Sequence, residues 1–293
     1  MKKQTVIALI AAAVLIVAGG ILLMLGLSYA GDPQDMLSHT EKTYVVKDSF
    51  HSIEVEATTC DVTLVNTDEN FRAVCPDTET LSYTVTVEDG VLRVRQVDLR
   101  KWYDFIGIFQ EDHKITLYLP QTQYDSLFVN TDTGDISLPD AFTFAFANIC
   151  TSTGDINCAA QITEDLTATA STGDIRVRDS APESLTLSIN TGTIRVQDVT
   201  CGACSVEADT GDVKLTGVVA DTMQLQTDTG DITIENCDTE SAEILSDTGD
   251  ISGNFLTSKW FRASSDTGKV SVPPTREGGE CHIETDTGDI TFH

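Results

Sequence analysis

Positive charge is scarce in this chain: 18 Lys and Arg stand against 46 Asp and Glu in 293 residues, a net charge of −28. A surface of that sign repels phosphate backbones and anionic headgroups, which excludes nucleic acid and acidic lipid surfaces as partners. The five histidines, His39, His51, His113, His282 and His293, are scattered. The chain contains no nucleophile elbow, no phosphate-cradling loop and no His-x-x-x-His spacing, so no catalytic motif can be named. Cys201 and Cys204 form a C-x-x-C. It has no second pair at zinc-finger spacing and no strand-helix-strand context, which argues against a metal site or a redox enzyme.

What the chain has in quantity is a repeat. Close copies of Thr227-Asp228-Thr229-Gly230-Asp231-Ile232-Thr233-Ile234 recur to the end. Their glycines are Gly134, Gly154, Gly173, Gly192, Gly211, Gly230, Gly249, Gly268 and Gly288, 19 residues apart except for steps of 20 at each end. A period of that size marks a repeat architecture, in which each unit buries its apolar face against its neighbours. Apolar residues recur seven and five positions before the glycine (Met223 and Leu225 in one copy) and two and four after it (Ile232 and Ile234), with Gly253 the exception. Apolar positions two apart mark strands with one buried face, one strand on each side of the glycine.

The turn decides how such strands pair. A two-residue hairpin with Thr and Gly at its centre would force φ > 0 on a β-branched residue, which sterics resist. Glycine after Thr suits a corner instead, where a left-handed residue swings the chain from one sheet to the next and each strand pairs with its equivalent one repeat along. The expected fold is therefore all-β, a β-solenoid (β-helix-like) of about nine 19-residue coils. At about 4.8 Å per coil it would span roughly 43 Å. Residues 127–293 carry these repeats.

Residues 43–126 read as an atypical β cap, as expected at the end of a solenoid. Within it, Thr59-Cys60-Asp61-Val62-Thr63-Leu64 looks like a degenerate copy with Cys60 at the glycine position, and Asp89-Gly90 signals a type I′ hairpin. Residues 100–109 are the least repeat-like; Trp102, Phe105, Ile106 and Phe109 fall at helical spacing and read as a short amphipathic turn that plugs the solenoid end, the rival reading being a turn that lies on a membrane or partner surface. Lys2 and Lys3 precede an uncharged apolar run over 5–30, long enough to span a bilayer. The lysines place residues 1–4 in the cytoplasm and the remainder outside the membrane, with 31–42 as a linker. A signal peptide cut after Ala30 is the rival reading, although the apolar run exceeds the usual signal core.

Ile115-Thr116-Leu117-Tyr118-Leu119-Pro120, then Tyr124-Asp125-Ser126-Leu127, then the Thr-Gly-Asp-Ile copies, resemble a bacterial domain-of-unknown-function family named for putative adhesins with β-strand repeats. The resemblance covers residues 43–293. It implies an envelope-associated or membrane-anchored protein and offers no catalytic residues to carry over.

Eight cysteines suit a domain outside the membrane. Cys204, Cys281 and Cys158 fall in buried columns; pairing of Cys201 with Cys204 or Cys237, and of Cys60 with Cys75, stays open. Arg176, Arg195 and Lys214 form a positive strip three residues after the glycine, with Asp174 and Asp212 nearby to compensate it.

Carboxylates are the best ligand candidates. They stand in two columns, two before the glycine and one after it. Both columns are unbroken over Asp209, Asp212, Asp228, Asp231, Asp247 and Asp250, and Lys269 interrupts the second one beyond. Like charges about 4.8 Å apart repel by about 0.9 kcal/mol even in bulk water, so something must offset them. Either the first Asp of each turn accepts local backbone N–H groups, or the columns bind Ca2+ weakly at several sites. The glycine-rich nonapeptide of calcium-binding β-rolls is missing. Apart from that Ca2+, no cofactor is expected.

The functional expectation is a non-catalytic, single-pass, membrane-anchored extracytoplasmic module, structural or adhesive, that meets an envelope protein or a glycan surface. The alternative is an envelope-stress sensing or regulatory protein; four cytoplasmic residues cannot carry a signalling domain, so it would need a membrane partner. A polysaccharide-active enzyme is the third reading.

Overall fold

A computed structural model describes residues 40–77, 81–98 and 113–293. The chain divides into two units, Met1–Thr40 and Glu41–His293. The expected anchor over 5–30 and the amphipathic stretch over 102–109 lie outside the described residues. Among the described residues no helix is long and apolar enough to cross a membrane.

The described residues form strands and their connections. They are β1 (Thr40–Val45), β2 (Ser52–Thr59), β3 (Asp61–Asn66), β4 (Arg72–Asp77), β5 (Leu81–Glu88), β6 (Val91–Asp98), β7 (Lys114–Leu119), β8 (Gln123–Thr133), β9 (Ile136–Leu138), β10 (Thr143–Thr153), β11 (Ile156–Cys158) and β12 (Gln161–Thr172). The series continues with β13 (Ile175–Arg178), β14 (Ser184–Thr191), β15 (Ile194–Gln197), β16 (Thr200–Thr210), β17 (Val213–Thr216), β18 (Val219–Thr229), β19 (Ile232–Thr248), β20 (Ile251–Phe255), β21 (Lys259–Thr267), β22 (Val270–Ser271), β23 (Gly279–Thr287) and β24 (Ile290–Phe292).

The β-solenoid is as the periodicity requires. From β8 to β19, strands before the glycine pair in parallel with one another, and strands after it do the same, each in register with its equivalent one coil away. Met223 pairs with Cys204 and Ala242, and Ile232 with Val213 and Ile251. From β8 to β19 the apolar columns face inward and are almost fully buried, as Met223, Leu225, Ile232 and Ile234 show in one coil. Each such side chain contributes on the order of 1.5–3 kcal/mol by leaving water. The column three before the glycine also points inward, and there Thr131, Thr151, Thr227 and Thr285 each donate a buried hydroxyl to the corner carbonyl of an adjacent coil at 3.2 Å.

The corner glycines other than Gly268 have positive φ, +144° at Gly211 and +151° at Gly230. This is the mirror-extended region rather than the compact left-handed turn that the sequence suggested, because the chain must stay extended to hand its hydrogen bonds to the next coil. Space forbids a side chain as well: a Cβ on Gly211 would lie 1.6 Å from the carbonyl oxygen of Gly192. A second corner, with no counterpart in the sequence reading, lies six residues after the glycine. There Asp179, Asp198, Gly217 and Asn236 adopt φ of 51–66°. Asp, Asn and Gly tolerate that left-handed conformation best.

At each end the stack departs from chain order. Before the corner, the order in space is β5, β6, β2, β8 at the N-terminal end and β19, β23, β21 at the C-terminal end. After the corner it is β4, β7, β3, β9 and β19, β20, β24, β22. The last coil of the chain is therefore sandwiched one layer in, beneath β21 and β22, and the first coil lies beneath two strands in each sheet, β6 then β5 in one and β7 then β4 in the other. One-repeat-along pairing holds over the middle of the stack and fails here, because β23 takes the place beside β19 that β21 would otherwise occupy. The coil of β2 and β3 stacks directly on that of β8 and β9, with Cys60 at the glycine position and its carbonyl 2.2 Å from where a Gly134 Cβ would stand. Asp89 and Gly90, at φ +52° and +77°, close the hairpin of β5 and β6 that their sequence announces.

Aromatic rings fill the coils near both ends. Phe50 meets Phe71 edge-on at 5.3 Å and stacks on Tyr124 at 5.7 Å. Phe292 packs on Phe255 at 5.6 Å and Phe261 at 5.4 Å, where Gly253, opposite Phe292, leaves out a side chain. Beside them Lys259, 2% exposed, pairs with Asp238 and lies 5.4 Å from the centre of the Phe255 ring. Burial opposes charge on Asp238, but hydrogen bonds from Lys259 and Thr257 outweigh it and hold its pKa below the usual carboxylate value.

Replacing Gly211 by Val should destabilise the protein by more than about 3 kcal/mol, since backbone strain of about 1–3 kcal/mol adds to a clash with backbone that cannot swing away. The same change at exposed Gln226 should stay within about 0.5 kcal/mol. Denaturant midpoints check this, and equal losses at the two sites contradict the corner.

Candidate functional site

The two carboxylate columns flank the glycine corner, and the structure gives them different roles. Aspartates one after the glycine reach across coils. The backbone N–H of Asp231 donates to Asp212 Oδ1 at 3.0 Å, that of Asp250 to Asp231 at 2.8 Å, and that of Asp289 to Asp250 at 2.8 Å. The same bond joins Asp135 to Asp61, Asp155 to Asp135, Asp174 to Asp155 and Thr193 to Asp174. The two flanking N–H groups point the other way: on either side of Asp231, Gly230 N–H donates to Thr248 O at 2.9 Å and Ile232 N–H to Asp250 O at 2.9 Å. The N–H between them is left facing a coil that offers it no carbonyl, and the carboxylate supplies the acceptor.

A hydrogen bond to a charged acceptor contributes about 1.5–3 kcal/mol, which exceeds the repulsion between neighbouring carboxylates in water. The ladder thus offsets its own charge. The local-capping account had named the Asp before the glycine; the acceptor is the one after it, because that side chain lies beside the orphan N–H. Lys269 does not break the ladder midway either. Asp289 follows Asp250 in space, and Lys269 donates its N–H to Asp289 at the outer end, 2.8 Å away.

Asp209, Asp228 and Asp247, two before the glycine, are exposed and make no hydrogen bond or ion pair within the described residues. Among those residues no three His, Cys, Asp or Glu side chains are placed to hold a metal ion. Asp212, Asp231 and Asp250 each spend one oxygen on backbone. The structure brings each set of three into a column and does not merge the two sets into a cage.

The positive strip is likewise engaged. Arg176 binds Asp155 at 2.9 Å and Asp174 at 2.5 Å, and Arg195 reaches Asp174 at 3.2 Å. Lys214 pairs with Glu235 at 3.1 Å, so Glu235 takes the role that sequence spacing had given to Asp212. Burial opposes charge on Asp155, yet the Asp174 N–H and the Arg176 guanidinium together hold its carboxyl below the usual range.

All eight cysteines are free thiols, and seven are buried. Burial pushes Cys75, Cys158 and Cys281 up to about 12 and Cys237 to about 11, so these side chains stay protonated and act as small apolar residues. Cys60 meets the Tyr83 hydroxyl at 2.9 Å.

Sequence reasoning missed a different cluster, on the outward side of the last three strands before the corner. Because β23 lies between β19 and β21, Glu280 stands between Ser241 and Trp260, His282 between Glu243 and Arg262, and Glu284 between Leu245 and Ser264. Ser241, Glu243, Arg262, Ser264, Glu280 and His282 of this grid line a cleft of about 620 Å3, and Trp260, Leu245 and Glu284 stand at its margin. Chain-order stacking would not have produced this grid, so no spacing in the sequence signals it.

Replacing Asp231 by Ala should cost about 1–3 kcal/mol, because the Asp250 N–H loses its acceptor, while Asp228→Ala should be near neutral. Thermal melts of both variants check the difference, and melts of the wild type in millimolar calcium against chelator, at matched ionic strength, check the cation account. The backbone-acceptor role expects an unchanged wild-type midpoint; a raised midpoint abolished by Asp228→Ala would show a cation site.

None of the curated proteins matches the chain. Among solved structures, a putative adhesin from Bacteroides fragilis is similar over 88% of this chain and 98% of its own, at 15% identity and a TM-score of 0.50. A putative lipid binding protein from Parabacteroides distasonis covers 85% of this chain and 96% of its own at 13% identity and a TM-score of 0.47. A putative adhesin from the same organism covers 87% and 97% at 11% identity and a TM-score of 0.46. The first of these likenesses supports the fold. The Toastrack DUF4097 family matches residues 50–213 and 201–293, nearly all of the coil stack, and the chain belongs to that family.

Proposed function

We propose that this protein is a non-catalytic surface module of the bacterial envelope, held at the membrane by residues 5–30 and presenting its coils outside the cell as a structural or adhesive surface. One observation carries the reading: along the shaft, the aspartates after the corner and the basic strip are committed to holding coil to coil. Groups spent in this way are not poised for acid-base or nucleophilic work, which needs a perturbed, accessible side chain aimed at a substrate. What the fold offers instead is a pair of long, regular, polar outer faces. The Bacteroides fragilis neighbour's description as a putative adhesin agrees with that use.

The test uses cells expressing the full chain with a C-terminal tag. The tag should fractionate with membranes and be lost to protease added outside the cells, and beads coated with the protein should adhere to envelope fragments where uncoated beads do not. A soluble species beginning at Gly31 would remove the anchor from this account. Beads that fail to adhere would remove the adhesive role.

A further inference from the structure

We infer that the outward cleft over β19, β23 and β21 is a binding site for an uncharged oligosaccharide. The inference rests on the envelope-surface reading above and names the ligand class of one face.

Three observations support it. The first is that the charged groups here do not hydrogen-bond one another. Arg262 lies 4.0 Å from Glu280, and His282 lies 4.0 Å from Glu243 and 3.9 Å from Glu284. Those distances are too long for hydrogen bonds. On the shaft, by contrast, Arg176 and Asp174 close to 2.5 Å. The cleft therefore presents donors from Arg262 and His282 beside acceptors from Glu243 and Glu280, with Glu284 at its margin, and a sugar hydroxyl, which both donates and accepts, matches such a mixed set.

The second observation is Trp260. It is 36% exposed at one edge of the same grid, with the Arg262 guanidinium 4.6 Å from its ring centre. An exposed indole gives an apolar plate at the side of a polar cleft, which suits the C–H face of a sugar ring, and the guanidinium steadies it. The third is shape and charge. Three strands about 4.8 Å apart and positions about 6.7 Å apart along each strand give a platform on the order of 10 by 13 Å, the reach of a short oligosaccharide. Three glutamates against one arginine repel an acidic sugar and leave an uncharged one unopposed.

The experiment titrates labelled full-length protein with maltohexaose, cellohexaose and the hexamer of N-acetylglucosamine, with polygalacturonate and oligolysine as charged comparators. At least one uncharged hexamer should bind saturably. Trp260→Ala and Glu280→Gln should each weaken that binding at least tenfold, and Gln226→Ala, elsewhere on the same sheet, should leave it unchanged. Glu280→Gln changes no shape, so it decides the matter if Trp260→Ala perturbs the edge strand. Saturation by none of the uncharged hexamers, binding indifferent to both variants, or binding of oligolysine or polygalacturonate alone would each overturn the inference. If wild-type beads still adhere to envelope in that case, the surface-module reading stands and this site falls by itself.

Discussion

The structure depends on backbone reaching from coil to coil at a corner too tight for any side chain. Gly211 donates its N–H to Thr229 in one direction, and its own Cα faces the Gly192 carbonyl in the other, with no space for a Cβ. A unit built this way has no stable form alone; its hydrogen bonds and its inward columns are both completed by neighbours. The 19-residue period, the threonine before the corner and the aspartate after it all follow from that one contact. Which coil lies beside which then decides every outward surface the molecule can show.

That constraint separates the shaft from the C-terminal end. On the shaft, coils succeed one another in chain order, and charged side chains settle into repetitive, mutually satisfied columns such as Asp212, Asp231 and Asp250. At the end, β23 slips between β19 and β21 and places side chains with unrelated sequence contexts next to each other. His282, Glu243 and Arg262 meet there without a partner at hydrogen-bonding distance. The recognition chemistry proposed here arises where the repeat is broken. The change of coil order also has a structural effect: the chain's own last strand pair is covered, and the exposed sheet edge passes to β21 and β22.

The fold was legible because periodic burial leaves a periodic trace. Columns at fixed offsets from glycine gave the two strands of each coil, and a Thr-Gly pair unsuited to a hairpin gave the corner. Cys60, read as standing in the glycine position, does so in the structure. The second corner could also have been read, since Asp179, Asp198, Gly217 and Asn236 form a column of residues that tolerate left-handed backbone. The direction of the aspartate bond was not legible: both columns have the same composition, and only the three-dimensional path shows which N–H lacks a carbonyl. Coil order at the ends was hidden for a deeper reason. Every coil presents nearly the same columns, so residue pattern alone cannot distinguish a stack in which β23 follows β21 from one in which it precedes it.

Coil order at the C-terminal end is the claim on which the candidate cleft stands, and disulfide trapping measures it directly. Adjacent strands place opposed positions about 4.8 Å apart, within reach of a disulfide, and strands two places apart put them about 9.6 Å apart, beyond it. In a Cys150→Ser background, which removes the one thiol that is not buried, Ser241→Cys with Glu280→Cys should cross-link on mild oxidation. Ser241→Cys with Trp260→Cys should not. The reverse result, cross-linking of 241 with 260 and none with 280, would mean that the coils follow chain order to the end and would contradict the account.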